Sequence, residues 1–527
     1  MTATRALARA GLIVSGAFLV SRVFGWVRLV VIGNTFGASA DLDAFFAAFR
    51  VPDLLFQLVA AGALSSALIP VVSGLLATEG EARAWRVVST VLNTMLVALA
   101  VLSAVAFIAA PQIVGAIAQG FDAATTERTV TLTRIMLLSP TFLAVGAVAT
   151  SLLNARDRFA AAALSPIVYN LAIIGAALFL APTMGVEGLA IGVVAGALSH
   201  VLVQVLPMRA IGFRYSAAID VSDAAARKAL GLMVPRAVGL GASQITFLVV
   251  TSLATTLGVG AVTAFTIAFT LLQIPMGVIG VPLGVVLFPS MSREAATGNV
   301  DQVVWLLTRA LRLLAFVMLP VASLFAVLRV ETVAILFRSF DASAVALTAS
   351  ALLALLVGLI AHAFIALLAR AFYAQQDTLT PVLAAVAAVV INTTLAIVLV
   401  GPLGLPGISL AIAIAAWVEA TALLLILRSR LRPMPLRALA AVGVRTVLAT
   451  AIAAGAALVA HGLIGPSLAP VPTAPGLGTI AGLAATMVGV AVVFGAVFVV
   501  AAVALRIEEL RSIVEIMIDA IRRPRRS

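Results

Sequence analysis

The chain of 527 residues has no cysteine, one lysine (Lys228), three histidines (His200, His362, His461) and three tyrosines, and only 10% of its residues are charged. Without cysteine there is no thiol nucleophile, no thiolate metal site and no disulfide framework. Three scattered histidines do not make a histidine metal cluster. No phosphate-binding loop of an ATP-driven motor is present, and no Ser/His/Asp set or carboxylate pair suggests bond-breaking chemistry. No cofactor or metal is therefore expected. Ordinary soluble domains are about 25% charged; at 10% charge a soluble enzyme of this length cannot cover its own surface.

Apolar sequence is what the chain has in excess: 63% of residues, with a mean hydropathy of +1.21. Runs near the ~20 residues needed to cross a bilayer occur at roughly 9–35, 44–77, 86–112, 129–153, 162–182, 185–208, 227–256, 262–287, 305–330, 344–373, 380–400, 407–428, 440–465 and 477–506. The expectation is an all-α polytopic membrane protein of about fourteen transmembrane helices. The first run follows Arg5 and Arg9 with no small-residue cleavage site, and reads as a retained helix.

The net charge of +12 is better explained by topology than by nucleic acid, because basic residues collect in cytoplasmic loops. With both termini cytoplasmic, the inner connections and tails hold 24 basic residues and the outer ones four: Arg128, Arg134, Arg329 and Arg338. The last 21 residues, 507–527, combine an apolar stripe with a basic end. They suit either an amphipathic helix on an anionic leaflet or a solubilising tail.

Two stretches recur. Pro70 and Ser73 match Pro289 and Ser292 at an offset of 219, and Pro166 matches Pro381 at 215. An offset of six helices keeps both copies in the same orientation, which gives two six-helix parallel-repeat lobes. The expected organisation is an N-terminal lobe at 1–215, a C-terminal lobe at 216–432, two additional helices at 433–506 and the tail at 507–527. Two such lobes around a cavity describe a carrier working by alternating access.

Ionisable groups at membrane depth cost a few kcal/mol on insertion scales and mark function by default. Arg22 and Arg28 lie in the first run, six residues and about 9 Å of helical rise apart. Each guanidinium offers a bidentate fork for phosphate or carboxylate; the plainer reading is that Arg28 reaches an interface. Asp43 either caps the second helix or pairs with an arginine. Arg50 and Asp53 flank Pro52 and either pair locally or face a cavity. Arg236 reads as an interfacial anchor. Gln244 either lines a cavity or bonds a neighbouring helix, and Asn392 is either interhelical glue or part of a small cation site.

The runs SRVFGWVR, FGASADLDAFFAAFRVPDLL, ALSSALIPVVS, LLNARDRFAAAALSPIVYN and FYAQQDTLTPV closely resemble the MurJ/MviN lipid II flippase family, over nearly the whole chain. The resemblance implies the multidrug/oligosaccharidyl-lipid/polysaccharide exporter fold in a bacterial plasma membrane. It implies a cavity that carries undecaprenyl-pyrophosphate-linked disaccharide-pentapeptide outward, membrane lipids and cell-wall or division proteins as partners, and no nucleic acid. Arg22 and Arg28 match the family's two pyrophosphate arginines of helix 1, and Asp43 its acidic residue at the start of helix 2. Leu29, Phe56, Thr270 and Ala396 depart from the pattern: two further arginines fall on Phe56 and Thr270, and the carboxylate partner of Asn392 in a sodium site falls on Ala396. Arg50 stands close enough to substitute for one missing arginine. The expected substrate-binding set is Arg22, Arg28, Asp43 and Arg50, with Gln244 and Asn392 as cavity or ion-site residues. The alternatives are an exporter of another lipid-linked oligosaccharide and a transport-inactive scaffold of the cell-wall machinery.

Overall fold

The computed structural model describes residues 2–61, 68–431, 435–468, 477–511 and 515. The expected basic end of the tail and most of the last outer connection lie outside the described residues. The chain forms two compact units, Met1–Thr263 and Ala264–Ser527. In order, the first contains α1 (Thr2–Phe36), α2 (Ala40–Phe56), α3 (Ile69–Thr78), α4 (Glu81–Ile108), α5 (Ala110–Ile117), α6 (Ala123–Met136), α7 (Ser139–Ala155), α8 (Phe159–Gly175), α9 (Ala181–Ala210) and α10 (Ala224–Thr255). Then come α11 (Ala261–Pro275), which begins in the first unit, α12 (Val281–Ala296), α13 (Val300–Val327), α14 (Arg329–Leu336), α15 (Ala342–Leu356), α16 (Leu359–Ala374), α17 (Leu379–Arg430), α18 (Leu436–Leu468) and α19 (Leu477–Ala504).

The fold is all-helical across the described residues, as expected, and helix covers each of the fourteen apolar segments there. By length and composition eight helical stretches can cross a bilayer, or nine if α15 and α16, bent by 45°, form one span. Two of those stretches, Phe159–Ala210 and Leu379–Arg430, have 52 residues, about 78 Å of helix against a hydrocarbon core of about 30 Å. Both are broken by glycine in a left-handed conformation, Gly185 at φ 62° and Gly404 at φ 60°. A side chain there would be strained.

After the break at Gly185 the chain doubles back, and α9 packs antiparallel on α8 through small residues. A Cβ on Gly188 would lie 3.0 Å from Leu180, one on Gly192 would run into Ala176, and one on Gly196 would lie 2.9 Å from the Tyr169 carbonyl. Small residues every fourth position bring two backbones together where lipid supplies no hydrophobic drive. In the second unit the same positions are Gly407, Ala411 and Ala415, and Gly407 meets Leu399, the counterpart of Leu180.

The repeat is real and its register is 219 throughout. Helices α4 and α13 start at Glu81 and Val300, α5 and α14 at Ala110 and Arg329, and α6 and α15 at Ala123 and Ala342. Asp122 and Asp341 both cap the helix that follows, each accepting an N–H three residues on at 2.7 Å. Wide π-type turns stand at Gln57–Ala61 and Met276–Gly280. Asp157 and Gln376 are the corresponding left-handed corners, at φ 57° and 62°. The 215 spacing of the two prolines is therefore corrected: Pro166 lies inside α8 and Pro381 in the first turn of α17, and their counterparts are Ala385 and Ala162. Proline is tolerated in a first turn for local reasons, so a shared proline misaligned the copies by four residues.

Candidate functional site: a charged cluster in the first unit

Four apolar helices of the first unit bring charge together. From α1, the Arg28 guanidinium lies 5.9 Å from the centroid of the Tyr169 ring of α8. From α2, Asp53 accepts a 2.9 Å hydrogen bond from Gln244 Nε2 of α10. Arg50, three residues before Asp53 and attracted to it, donates from Nε to Thr251 Oγ1 at 3.1 Å. Its guanidinium also covers the Phe247 ring at 5.1 Å. Arg22, half-buried on α1, has interactions of its own.

Local sequence accounts for this placement. Pro52 sits within α2, buried, and the wide turn at Gln57–Ala61 follows at once. Both features reshape the helix where Arg50 and Asp53 project; π-type turns characteristically occur at functional sites. Gln244 thus bonds a neighbouring helix, the second of its two expected uses. The Arg236 side chain lies outside the described residues.

Asp43 has a different position. It is not the cap of its own helix: Ser39 is, accepting from the Leu42 N–H at 3.3 Å. Asp43 is fully buried. It accepts from the Gly260 N–H at 2.6 Å, the Thr263 N–H at 2.7 Å and the Thr263 hydroxyl at 2.6 Å. A carboxylate at a helix start meets both the free N–H groups and the positive end of the helix dipole. Here it caps α11 from a distance of 217–220 residues in sequence.

In the second unit Asn392 is 3% exposed, and neither its amide nor its carbonyl is bonded. Ala396, one turn on, is fully buried. At the two departures, Phe56 packs against an apolar core and Thr270 bonds back to the Thr266 carbonyl at 2.8 Å. Neither replaces a cation. The described residues contain no group of three or more potential metal ligands from His, Cys, Asp and Glu.

At 219 residues on, Arg22, Arg28, Asp43, Arg50 and Asp53 correspond to Gly241, Phe247, Val262, Phe269 and Leu272. At these five positions only the first copy of the repeat is charged. Sequence reasoning missed Tyr169 and Thr251 as partners. The signal for Tyr169 was its rarity, since it is one of three tyrosines in the chain. Arg28 and Arg50 bring positive charge among apolar helices, where an oxyanion finds strong charge-assisted bonds.

Two repeat-related helical halves, with arginines among the apolar helices of the first, have the build of a membrane transporter. The solved structure described as lipid II flippase MurJ in an inward closed conformation matches with a TM-score of 0.76, covering 94% of this chain and 99% of that one at 20% identity. An inward-facing multidrug resistance MATE family transporter of the MOP superfamily matches at 0.65, covering 82% and 98%, at 18% identity. The family model for lipid II flippase MurJ matches residues 32–474. The lipid II flippase MurJ of Burkholderia cenocepacia is 33% identical over 434 residues, covering 80% of this chain and 84% of its own. A probable lipid II flippase MurJ of Rhizobium tropici is 30% identical over 429 residues, covering 79% and 80%. The chain belongs to the lipid II flippase MurJ family, and is a multi-pass protein of the bacterial inner membrane.

Proposed function

We propose that this protein carries lipid II, the undecaprenyl-pyrophosphate-linked peptidoglycan precursor, from the inner to the outer leaflet, and that Arg22, Arg28 and Arg50 hold its pyrophosphate. The observation that supports this reading best is the charge asymmetry of the repeat: arginines in one copy, glycine and phenylalanine at the same register in the other. A pyrophosphate entering from water must exchange its hydration for desolvated, preorganised donors, and arginine forks supply them. Asp53, held by Gln244, limits the net charge, so the site can release the anion as well as bind it.

In this reading both termini are cytoplasmic. The lobes at 1–215 and 216–432 alternate access by rocking, and the fourteen segments are fourteen spans. Asp43 belongs to the machinery as a bond between α2 and the start of α11 that transport makes and breaks. Asn392 without a carboxylate at Ala396 leaves a poor sodium ligand set, so the drive comes from the membrane potential or from the lipid gradient. Cell-wall synthesis proteins that supply and consume lipid II are the partners the reading calls for.

The test is complementation in a bacterium depleted of its own lipid II flippase, with Arg22→Ala and Arg28→Ala beside the parent at matched membrane levels. Rescue by the parent and loss in both variants supports the assignment. Rescue by Arg22→Ala removes the pyrophosphate clamp, and a well-expressed parent that fails to rescue points to another lipid-linked oligosaccharide or to a scaffold.

A further inference from the structure

The second unit contains a cleft of about 440 Å³ that the transport reading does not use. It is lined by the first turns of α13 (Asp301, Trp305, Thr308, Arg309, Arg312), the start of α18 (Pro435, Ala438) and two carboxylates just after α19, Glu508 and Glu509. We propose that this cleft binds the headgroup of a zwitterionic phospholipid with a primary amine, of the phosphoethanolamine type.

Two polar groups in the cleft are buried and unfilled. Thr308 is 7% exposed and its hydroxyl has no partner; Glu509 is 7% exposed and its Oε2 has none. Buried polar atoms in native structures are almost always bonded, and each exception needs an explanation. The other oxygen of Glu509 takes a 2.5 Å bond from Arg312 Nε, and Arg312 Nη2 reaches Glu508 at 2.8 Å. Among the described residues that line the cleft, Arg309 is the cation with no carboxylate contact: its guanidinium covers the Trp305 ring, 5.2 Å away. Trp305 is 49% exposed and stands five residues into a helix long and apolar enough to cross a membrane; tryptophan is enriched near the ends of such helices, at the lipid–water boundary.

The chemistry selects the ligand. Arg309 and the Thr308 hydroxyl offer an N–H fork and an O–H to a phosphate. Glu509 Oε2 and Glu508 offer acceptors to an ammonium. An anionic headgroup would leave the carboxylates opposed, and a choline would leave Glu509 Oε2 without an N–H. A primary ammonium joined to a phosphate satisfies both ends. The cleft is lined by the apolar side chains of Trp305 and Leu313 on a helix long and apolar enough to cross a membrane, which points to a lipid rather than a soluble phosphate compound.

The proposal is independent of the cargo. It is tested on the full-length protein, delipidated in detergent and presented with phosphatidylethanolamine, phosphatidylcholine or phosphatidylglycerol of identical chains, with retained lipid measured by native mass spectrometry. The expected result is about tenfold preference for phosphatidylethanolamine, as one charge-assisted bond at the low end of its range would give. Arg309→Gln and Thr308→Val should remove most of the preference without lowering the lipid-free melting temperature. Arg293→Gln, an exposed arginine on α12, should leave it intact. Equal retention of the three lipids, unchanged preference in Arg309→Gln, or displacement of the lipid by millimolar phosphate or free phosphoethanolamine would each overturn the assignment.

Discussion

Removing the Asp43 carboxylate strands three donors at once. Two are backbone N–H groups, at Gly260 and Thr263, and the third is the Thr263 hydroxyl, all with Asp43 as their bonded acceptor at 2.6–2.7 Å. The hydroxyl can rotate to another acceptor, but the two N–H groups cannot. Each buried orphan costs about 1–3 kcal/mol, so Asp43→Ala should weaken this junction by about 4 kcal/mol. At about 1.4 kcal/mol per decade, the local opening equilibrium rises by close to three orders of magnitude. The cysteine-free chain makes this measurable. Ala261 at the start of α11 is fully buried, so Ala261→Cys reports opening through its maleimide labelling rate. Thr263→Val, which loses only the hydroxyl bond, should accelerate labelling by about tenfold. Asp43→Asn, which keeps one acceptor oxygen, should fall between the two. If Asp43→Ala labels within about threefold of the parent, or more slowly than Thr263→Val, the junction does not depend on this carboxylate and the reasoning is refuted.

Gly192→Val should destabilise the α8–α9 hairpin by about 1–3 kcal/mol, because its side chain would occupy the space of Ala176; thermal unfolding in detergent checks it. Ala411→Leu, at the same register, should act in the same direction. Arg50→Lys keeps the charge but loses the Nε bond to Thr251 and the flat contact with Phe247. It should lower lipid II flipping several-fold at unchanged expression, measured in vesicles. At the corner between α16 and α17, the Thr380 hydroxyl and amide, and then Arg430, hold the Asp377 carboxyl down to about 2 from an ordinary 3.8. A depressed acid stabilises the fold above its unfolded value and loses that contribution as pH falls through the folded one. Asp377→Asn should therefore lower the melting temperature at pH 7 and the difference should vanish between about pH 4 and 2.

The all-helical class, the membrane setting and the arginines were legible because each is a local property: a charge inside an apolar run needs no partner to be noticed. Arg50 and Asp53 stood out in the same way. Their bonds to Thr251 and Gln244 did not, since 201 and 191 residues separate donor from acceptor and nothing in a single sequence marks that meeting. Asp43 shows the limit most plainly. Its position near a helix start suggested a cap, which it is, but for another helix. The span count by length and composition was obscured by continuous helices, because one left-handed glycine can fold a helix back without interrupting its hydrogen-bonded ladder on either side.

A register of 219 kept through helix starts, caps, corners and glycine breaks means that the chain holds one blueprint printed twice, with no residue gained or lost between the copies at those landmarks. The second printing then acts as an internal control for the first. Wherever both copies have the same kind of residue, as at Gly188 and Gly407, the position serves the scaffold, and a change there should be tolerated or rejected alike in either half. Wherever they part company, as Arg28 does from Phe247, architecture has stopped dictating the choice and cargo has begun to.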